Sequence, residues 1–392
     1  MRIFISTGEV SGDLQGGLLV EALYRQASAM EVDLEIVALG GDRMAEAGAK
    51  LLGHTTGIGS VGLLEALPFI FPTLRVQNRA KRYLKDNPPD AIAAIDYAGP
   101  NTAISTFARR NLPHIPVAYY IAPQYWVWWP LKKDIERLVK NTDLFLAIFP
   151  GEARFFEKQG GTVEWVGHPL LDRMQNAPTR EEARDRLSIP QNQLAIALFP
   201  FSRHQEVKYL LPVLLAAARK IQDKLPHAHF WIPISLPDYR SLVETQIQDL
   251  NLSATVLDGQ SLQLMAAVDL AIGKSGTVNL ELALMNVPQV VIYRLSPVTL
   301  WLAKTLFNYS TPFLSPPNLV LGESIVPELF QQEATPENIA QQGLDLLLNS
   351  ERREQMQQDY QRMRLKLGEI GVSDRAARAI LKLALQSTVR NE

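Results

Sequence analysis

One stretch of this chain has the residue types and order to hold a phosphate beside a sugar. Gly273-Lys274-Ser275-Gly276-Thr277 follows an apolar run, Val268 to Ile272, and precedes a helical pattern that carries Glu281 one turn in. A turn of small residues between strand and helix exposes backbone N–H groups and the positive end of the helix dipole, which suits an anion. A carboxylate four residues past Thr277 can accept hydrogen bonds from sugar hydroxyls. The plain alternative is a strand–turn–helix whose glycines serve close packing. Spacing excludes two other motifs. A P-loop needs Gly at the position of Val268, and G-x-G-x-x-G is absent here.

Further candidates also sit just after apolar runs. Asp96 follows Ala91–Ile95 directly. A carboxylate there, with its pKa raised by partial burial, can take a proton from an alcohol; capping the next helix is the competing role. Gly8-Glu9-Val10-Ser11-Gly12-Asp13 follows Arg2–Ser6, with Gly16 and Gly17 beyond. Its glycines allow close approach of backbone to a ligand, and Glu9, Ser11 and Asp13 are polar groups for a site; a glycine turn with Asp13 near a helix start is the alternative. Arg203, in Phe199-Pro200-Phe201-Ser202-Arg203, can grip a diphosphate bidentately, while Glu206 and Lys208 beyond it allow a surface ion pair. Tyr119 to Pro130 includes Gln124, Trp126, Trp128 and Trp129, followed by Lys132 and Lys133. Its aromatics suit a sugar face, an acyl chain or a packed corner. Among six scattered His, only His168 in Gly167-His168-Pro169 stands where a site residue would.

These residues need strands to position them. Apolar runs alternate with helical patterns, first as Arg2–Ser6, Glu35–Leu39, Ala91–Ile95, Val117–Ile121, Leu144–Ile148 and Val163–Val166. The series restarts as Ala195–Phe199, His229–Pro233, Thr255–Leu257, Val268–Ile272 and Val290–Tyr293. Continuous apolar strands with helices between them predict two α/β domains built on parallel sheets. Such sheets bind ligands at the carboxyl ends of their strands. Asn176–Asn192 reads as the connection. Pro336–Gln386 reads as helical throughout, with a charged, solvated part over Glu351–Lys366 and an amphipathic part over Ala376–Leu385.

Composition narrows the classes. The chain has 392 residues, 47% hydrophobic, with a net charge of −2 and no cysteine. That excludes disulfides, Cys-ligated zinc and Cys nucleophiles, and offers no general attraction to nucleic acid. The N-terminus reads as a first strand rather than a signal peptide. No apolar run is long enough to span a bilayer. Neither H-E-x-x-H nor D-x-D occurs, so a diphosphate would have to be met by Arg203, N–H groups and Lys274. Gly62–Leu74 is strongly apolar and precedes Arg75, Arg79, Lys81, Arg82 and Lys85. That suits contact with a membrane interface or anionic lipid, against a core helix with a charged face. Pro68 and Pro72 argue against the regular helix.

In order and spacing these segments resemble the lipid-A-disaccharide synthases, glycosyltransferase family 19, along nearly the whole chain. The resemblance is carried by Gly8 to Asp13, Gly40-Gly41-Asp42-Arg43-Met44, Gly62-Leu63-Leu64-Glu65, Ile95-Asp96 and Pro123 to Trp128. It continues through Val166-Gly167-His168-Pro169, Pro200 to Arg203, Ser275 to Glu281, Tyr293-Arg294, Trp301-Leu302-Ala303-Lys304 and Pro317-Asn318-Leu319. It implies an α/β GT-B fold, with two Rossmann-like domains whose parallel sheets face across a cleft. Residues 1–180 plus the C-terminal helices from about 365 to 392 would bind the acceptor, and residues 190–364 the UDP-sugar.

The resemblance also implies inverting, metal-independent transfer without a cofactor. UDP-2,3-diacylglucosamine would give its sugar to 2,3-diacylglucosamine 1-phosphate (lipid X), forming a β-1,6 disaccharide and UDP. Asp96 matches the base. Arg203, Ser275, Gly276, Thr277, Glu281 and Asn318 match the UDP side. Gly8, Glu9, Ser11, Asp13, Gln124, Trp126 and His168 fall to the acceptor or the cleft. The expected setting is cytoplasmic, peripheral to the inner membrane, with no nucleic-acid partner and a homodimer left open. Five positions depart from the family pattern. Gly99 stands where a second Asp is common, Phe201 where Gly is usual, Gln124-Tyr125 where Ser-Val is typical, and Lys274 is unusual. A relative with another acceptor, a UDP-sugar epimerase and a non-catalytic binding protein are the alternatives.

Overall fold

The computed structural model describes residues 1–56, 70–129, 131–202, 204–234, 236–294 and 311–391, without the side chains of 70, 204, 205 and 388–391. The chain divides into two compact units, Met1–Asp172 with Leu367–Glu392, and Arg173–Lys366. Three motifs read from the sequence lie outside the described residues: Arg203, the 62–69 part of the apolar segment, and 301–304.

Among the described residues the first unit holds seven strands: β1 (Arg2–Ser6), β2 (Glu35–Gly40), β3 (Lys50–His54), β4 (Ala91–Ile95), β5 (Val117–Tyr120), β6 (Leu144–Ala147) and β7 (Val163–Trp165). They form one parallel sheet in the order β3-β2-β1-β4-β5-β6-β7. The central strand β4, AIAAI, is buried at every residue, as a sheet covered on both faces requires. On one face Phe4, Val37, Ile92 and Val117 pack with Ala80, Leu84, Ile104 and Ala108. The helix Val372–Asn391 packs against the helix Glu9–Ala29 and against β4 and β5, and Arg25 pairs with Asp374 at 3.0 Å. Asp172 fixes the start of that last helix by accepting from the N–H groups of Gly371, Val372 and Ser373 at 2.6, 3.1 and 2.8 Å.

The second unit repeats the plan with β8 (Leu194–Phe199), β9 (Ala228–Ile234), β10 (Ala254–Asp258), β11 (Leu270–Lys274), β12 (Gln289–Tyr293) and β13 (Glu328–Phe330), in the parallel order β10-β9-β8-β11-β12-β13. The stretch before β8, read from the sequence as a connection, belongs to this unit. Its helix Arg180–Leu187 is closed by a capping box at Thr179 and Glu182. It also carries Arg184, which is fully buried. Arg184 donates to the carbonyls of Ala267 (2.8 Å), Pro190 (2.8 Å), Gln191 (2.9 Å) and Gln193 (3.1 Å) and to Asp269 (2.9 Å). Asp269 also holds Arg180 and the Ala195 N–H. That knot starts β11 at Leu270 rather than Val268, so Lys274 ends the strand instead of opening the turn.

Two further features depart from expectation. The edge strands β3 and β13 are half-exposed, without the apolar run that marks the inner strands. The helix Ser350–Leu367, read as solvated, buries Met356, Tyr360, Met363 and Leu367. That stripe of positions three and four apart is diluted by the charges around it.

Candidate functional site

Each sheet changes direction between two central strands, β1 and β4 in the first unit and β8 and β11 in the second. Ligands of open α/β sheets bind beyond the carboxyl ends of strands at such a switch point. Gly8, Glu9 and Asp96 follow β1 and β4; Ser202, Ser275 and Thr277 follow β8 and β11. The candidate residues therefore stand where the topology expects a ligand, each set within its own unit.

In the first unit the switch point is strained. Asp96 and Tyr97 are left-handed, with φ of 46° and 50°, as are Glu9 at 62° and Ile121, just past β5, at 58°. Asp tolerates this region; Tyr and the β-branched Ile do so at a cost of about 1–2 kcal/mol each. Such strain persists only where surrounding bonds impose it. The Asp96 N–H donates to the Ile121 carbonyl at 3.0 Å. The Asp96 carbonyl accepts from the Tyr119 hydroxyl at 2.7 Å and from Asn101 Nδ2 at 2.8 Å. Asn101 is fully buried and also accepts from Ser6 Oγ at 2.7 Å. The Asp96 side chain is exposed, which corrects the expectation of partial burial. The N-cap of the next helix, Ala98–Asn111, is Tyr97, not Asp96. Gly99, where the resemblance places a second acid, has open space beyond its Cα.

The Gly8–Asp13 segment is helical from Glu9 on and less available than its composition suggests. A Cβ on Gly8 would lie 2.5 Å from the Tyr97 ring, so this glycine lets the loops after β1 and β4 touch. Gly12, Gly16 and Gly17 pack closely on Thr7, Met44 and Arg43. Asp13 is buried and accepts from the N–H groups of Gly41, Arg43 and Met44 at 2.7, 3.1 and 3.2 Å. It caps the helix Asp42–Glu46 rather than facing a ligand. Ser11 is exposed and Glu9 half-buried.

Beyond β5, Gln124–Trp126 forms a single 3₁₀ turn with Gln124 exposed and Trp126 half-buried. Tyr125 is buried and stacks on Trp129 at 4.5 Å. The Trp126 ring lies 5.5 Å from Phe149, which lies 5.0 Å from His168. His168 is buried, and its Nδ1 accepts the Leu170 N–H at 3.2 Å, which places the ring proton on Nε2. Burial lowers its pKa to about 3, so the ring stays neutral. Sequence reasoning missed Glu152, a fully buried carboxylate one turn into the helix Pro150–Lys158.

In the second unit polar bonds hold the switch point. The Gly276 N–H is taken by Asn279 Oδ1 at 2.7 Å, and Ser275 Oγ donates to the Leu314 carbonyl at 2.7 Å. The turn is thus partly self-satisfied, while the Thr277 side chain is exposed. Glu281 is 6% exposed and pairs closely with Arg173 through Oε1. Burial raises its pKa, and Arg173 opposes that rise. Asn318 is fully buried and not open to a ligand. Its Nδ2 donates to the Val326 carbonyl (3.0 Å) and Glu328 (2.8 Å), and its Oδ1 accepts from Ile325 (2.8 Å) and Val326 (2.9 Å). Glu328, also missed in the sequence, further accepts from the N–H groups of Leu314 and Ser315 at 2.8 and 2.7 Å. Asn318 and Glu328 therefore build the wall to which Ser275 is tied.

Two unusual residues resolve here. Phe201 is buried against Tyr239, its ring centroid 5.8 Å away. Lys274 neither faces solvent nor stands alone: its Nζ lies 3.1 Å from Glu206, which also accepts the Ser202 N–H at 2.6 Å. That pair ties the loop after β8 to the end of β11.

A family model described as Lipid-A-disaccharide synthetase matches residues 3–383. Lipid-A-disaccharide synthase of Gloeothece citriformis is 62% identical over 381 residues, covering 97% of this chain and 99% of that protein. The synthase of Synechocystis is 54% identical over 386 residues, 98% of each. Two solved structures are similar in fold. UDP-GlcNAc 2-epimerase from Neisseria meningitidis has a TM-score of 0.63 at 15% identity, covering 98% of this chain and 100% of that one. MurG from Acinetobacter baumannii has a TM-score of 0.57 at 18% identity, covering 97% and 99%. The fold is GT-B, made of two Rossmann-like units.

Proposed function

The chain belongs to the lipid-A-disaccharide synthase family, and from that premise we propose how it works. It transfers 2,3-diacylglucosamine from UDP-2,3-diacylglucosamine to the 6-hydroxyl of 2,3-diacylglucosamine 1-phosphate, with inversion and without a metal. The first unit takes the acceptor and the second takes UDP. The observation that carries this reading is Asp96, an exposed carboxylate at the switch point of its sheet on backbone that its neighbours force left-handed.

Asp96 removes the proton of the acceptor hydroxyl as its oxygen attacks the anomeric carbon. The bond from that carbon to the diphosphate oxygen breaks, and the electron pair leaves with UDP. A positioned base of this kind contributes roughly 10²–10⁴-fold. Arg203 and the N–H groups of Thr277 and Val278 meet the charge that grows on the diphosphate. Glu281 offers Oε2 to the ribose hydroxyls, its Oε1 being taken by Arg173. Asn318 serves this site indirectly, by holding the wall behind Ser275. Gln124, Trp126 and His168 serve the acceptor, with His168 as a neutral Nε2–H donor.

We place the enzyme at a membrane surface. Among the described residues no helix is long and apolar enough to cross a bilayer. The helix Ile70–Asp86 instead exposes Phe71 (75%) and Leu74 (47%) beside Arg75, Arg79, Arg82 and Lys85. Pro72 sits in its first turn, where no N–H is needed, so the proline does not argue against this helix. Apolar residues ringed by cations suit an anionic interface. Phe71→Asp should lower co-sedimentation with anionic vesicles; unchanged binding would remove this helix from the surface.

The deciding experiment incubates the protein with UDP-diacylglucosamine and lipid X and weighs the products. A β-1,6 disaccharide 1-phosphate with one UDP per turnover is expected. An epimerised donor, or UDP binding with no transfer, would overturn the proposal.

A further inference from the structure

Glu152 is a buried charge with no place in the transfer step described above. Its Oε2 accepts the N–H groups of Ile148 and Phe149 at 2.8 and 3.2 Å, just past β6. That much is what an acidic residue in the first turn of a helix does for its own N-terminus. Its Oε1 does something else. It accepts the Ala122 N–H at 3.0 Å, thirty residues away and just past β5. One carboxylate thus joins two neighbouring strand ends.

The end after β5 carries residues assigned to the acceptor, and the end after β6 packs against them. Ala122 leads through Pro123 into the turn with Gln124 and Trp126. Phe149 places its ring between Trp126 and His168, at 5.5 and 5.0 Å. A side chain on Gly151 would meet the Trp126 ring at 3.1 Å, so the helix start also lies against that ring. The left-handed Ile121, whose carbonyl holds the Asp96 N–H, adjoins Ala122 directly. A shift at Ala122 therefore moves the aromatic turn on one side and the backbone of Asp96 on the other.

We propose that Glu152 is a positioning residue for the acceptor, its ionised carboxylate clamping the loops after β5 and β6 so that Gln124, Trp126 and His168 meet the acceptor sugar in fixed geometry. This rests on the reading of the first unit as the acceptor side. Three N–H donors on two oxygens need the charged form, because a protonated oxygen is a poor acceptor. The groups around it oppose that charge or leave it unaided. Burial comes first and Asp96 adds repulsion, and together they raise the Glu152 pKa to about 7 against its three N–H bonds. Tyr120, on β5, is fully buried and pushed far up, so it stays neutral. His168 stays neutral too. The clamp accordingly loosens as pH falls through about 7.

The test uses the full-length protein and Glu152→Gln, which keeps the volume but turns an N–H₂ group toward N–H donors. Hydrogen exchange should quicken about tenfold or more at amides 121, 122, 124–126 and 148–149, with 91–95 of β4 unchanged. The KM for lipid X should rise about tenfold, with the donor KM within twofold of wild type. The rise in acceptor KM on acidification from pH 8 to 6 should be lost. Phe149→Leu leaves the carboxylate and removes the ring; it should reproduce the acceptor effect without the exchange effect at Ala122. Unchanged exchange in both loops overturns the clamp, whether or not the protein transfers sugar. Donor and acceptor KM rising together overturns the acceptor assignment. A wild type that makes no disaccharide overturns the proposed function, while exchange still decides the clamp.

Discussion

The two switch points share a topology and differ in how they are held. Between β1 and β4 the chain stores strain: non-glycine residues stand left-handed at Glu9, Asp96 and Tyr97, and Ile121 follows past β5. Beside β8 and β11 no left-handed residue occurs among those described, and polar bonds close the loops instead, through Asn318, Glu328, Asn279 and the Lys274–Glu206 pair. The difference follows from the tasks proposed for them. A base must present a charged side chain to an incoming hydroxyl, and strained backbone holds Asp96 outward where a regular turn would not. A nucleotide pocket needs walls, and a satisfied polar network makes walls.

The comparison can be broken at several places, taken from the largest expected effect down. Asp96→Ala should lower turnover by roughly 10²–10⁴-fold with UDP affinity unchanged, read by steady-state assay and calorimetry. Asn318→Ala should leave chemistry alone and cost the fold about 4 kcal/mol, because four bonds of a buried side chain are lost at once. Denaturant unfolding would show it, and a loss below about 1 kcal/mol would contradict the wall. Glu281→Ala should weaken UDP binding about tenfold by calorimetry. It should also cost about 2 kcal/mol, less than the 3–5 kcal/mol of a fully buried pair, because the Arg173 side chain keeps 27% exposure.

The smallest effect concerns pH. His168 titrates near 3 in the native state and near 6.5 when unfolded, so between these values the unfolded chain binds more protons and stability falls as pH falls. Glu152 titrates near 7 when native and near 4.5 when unfolded, so between those values stability rises as pH falls. From pH 6.5 to 4.5 the two offset each other at about 1.4 kcal/mol per pH unit. His168→Asn removes one side, so thermal midpoints of the variant relative to wild type should rise from pH 7 to pH 5. A difference that ignores pH would contradict the neutral buried imidazole.

Much of this molecule was legible in the residues. The inner strands announce themselves as apolar runs because both faces are covered, and the position of Asp96 after AIAAI follows from that run alone. The edge strands β3 and β13 carry no such signal. Asp13 and Asn318 sat in motifs that pointed to a ligand, yet their polar groups are spent on backbone and, for Asn318, on Glu328, which spacing cannot distinguish. Glu152 could have been suspected as an acid just inside a helix after Phe149-Pro150. Its bond to Ala122 depends on β5 and β6 lying side by side, and only the folded sheet shows that. Lys274 looked odd because its partner Glu206 lies on a different segment.

The central claim is that the first unit supplies the base through Asp96. Asn is the substitution that isolates it, because Asn accepts left-handed backbone as readily as Asp while giving up the carboxylate. Single-turnover transfer by Asp96→Asn, measured beside UDP binding and the thermal midpoint, should fall at least 10²-fold with binding and stability near wild type. Transfer within a fewfold of wild type would contradict the account.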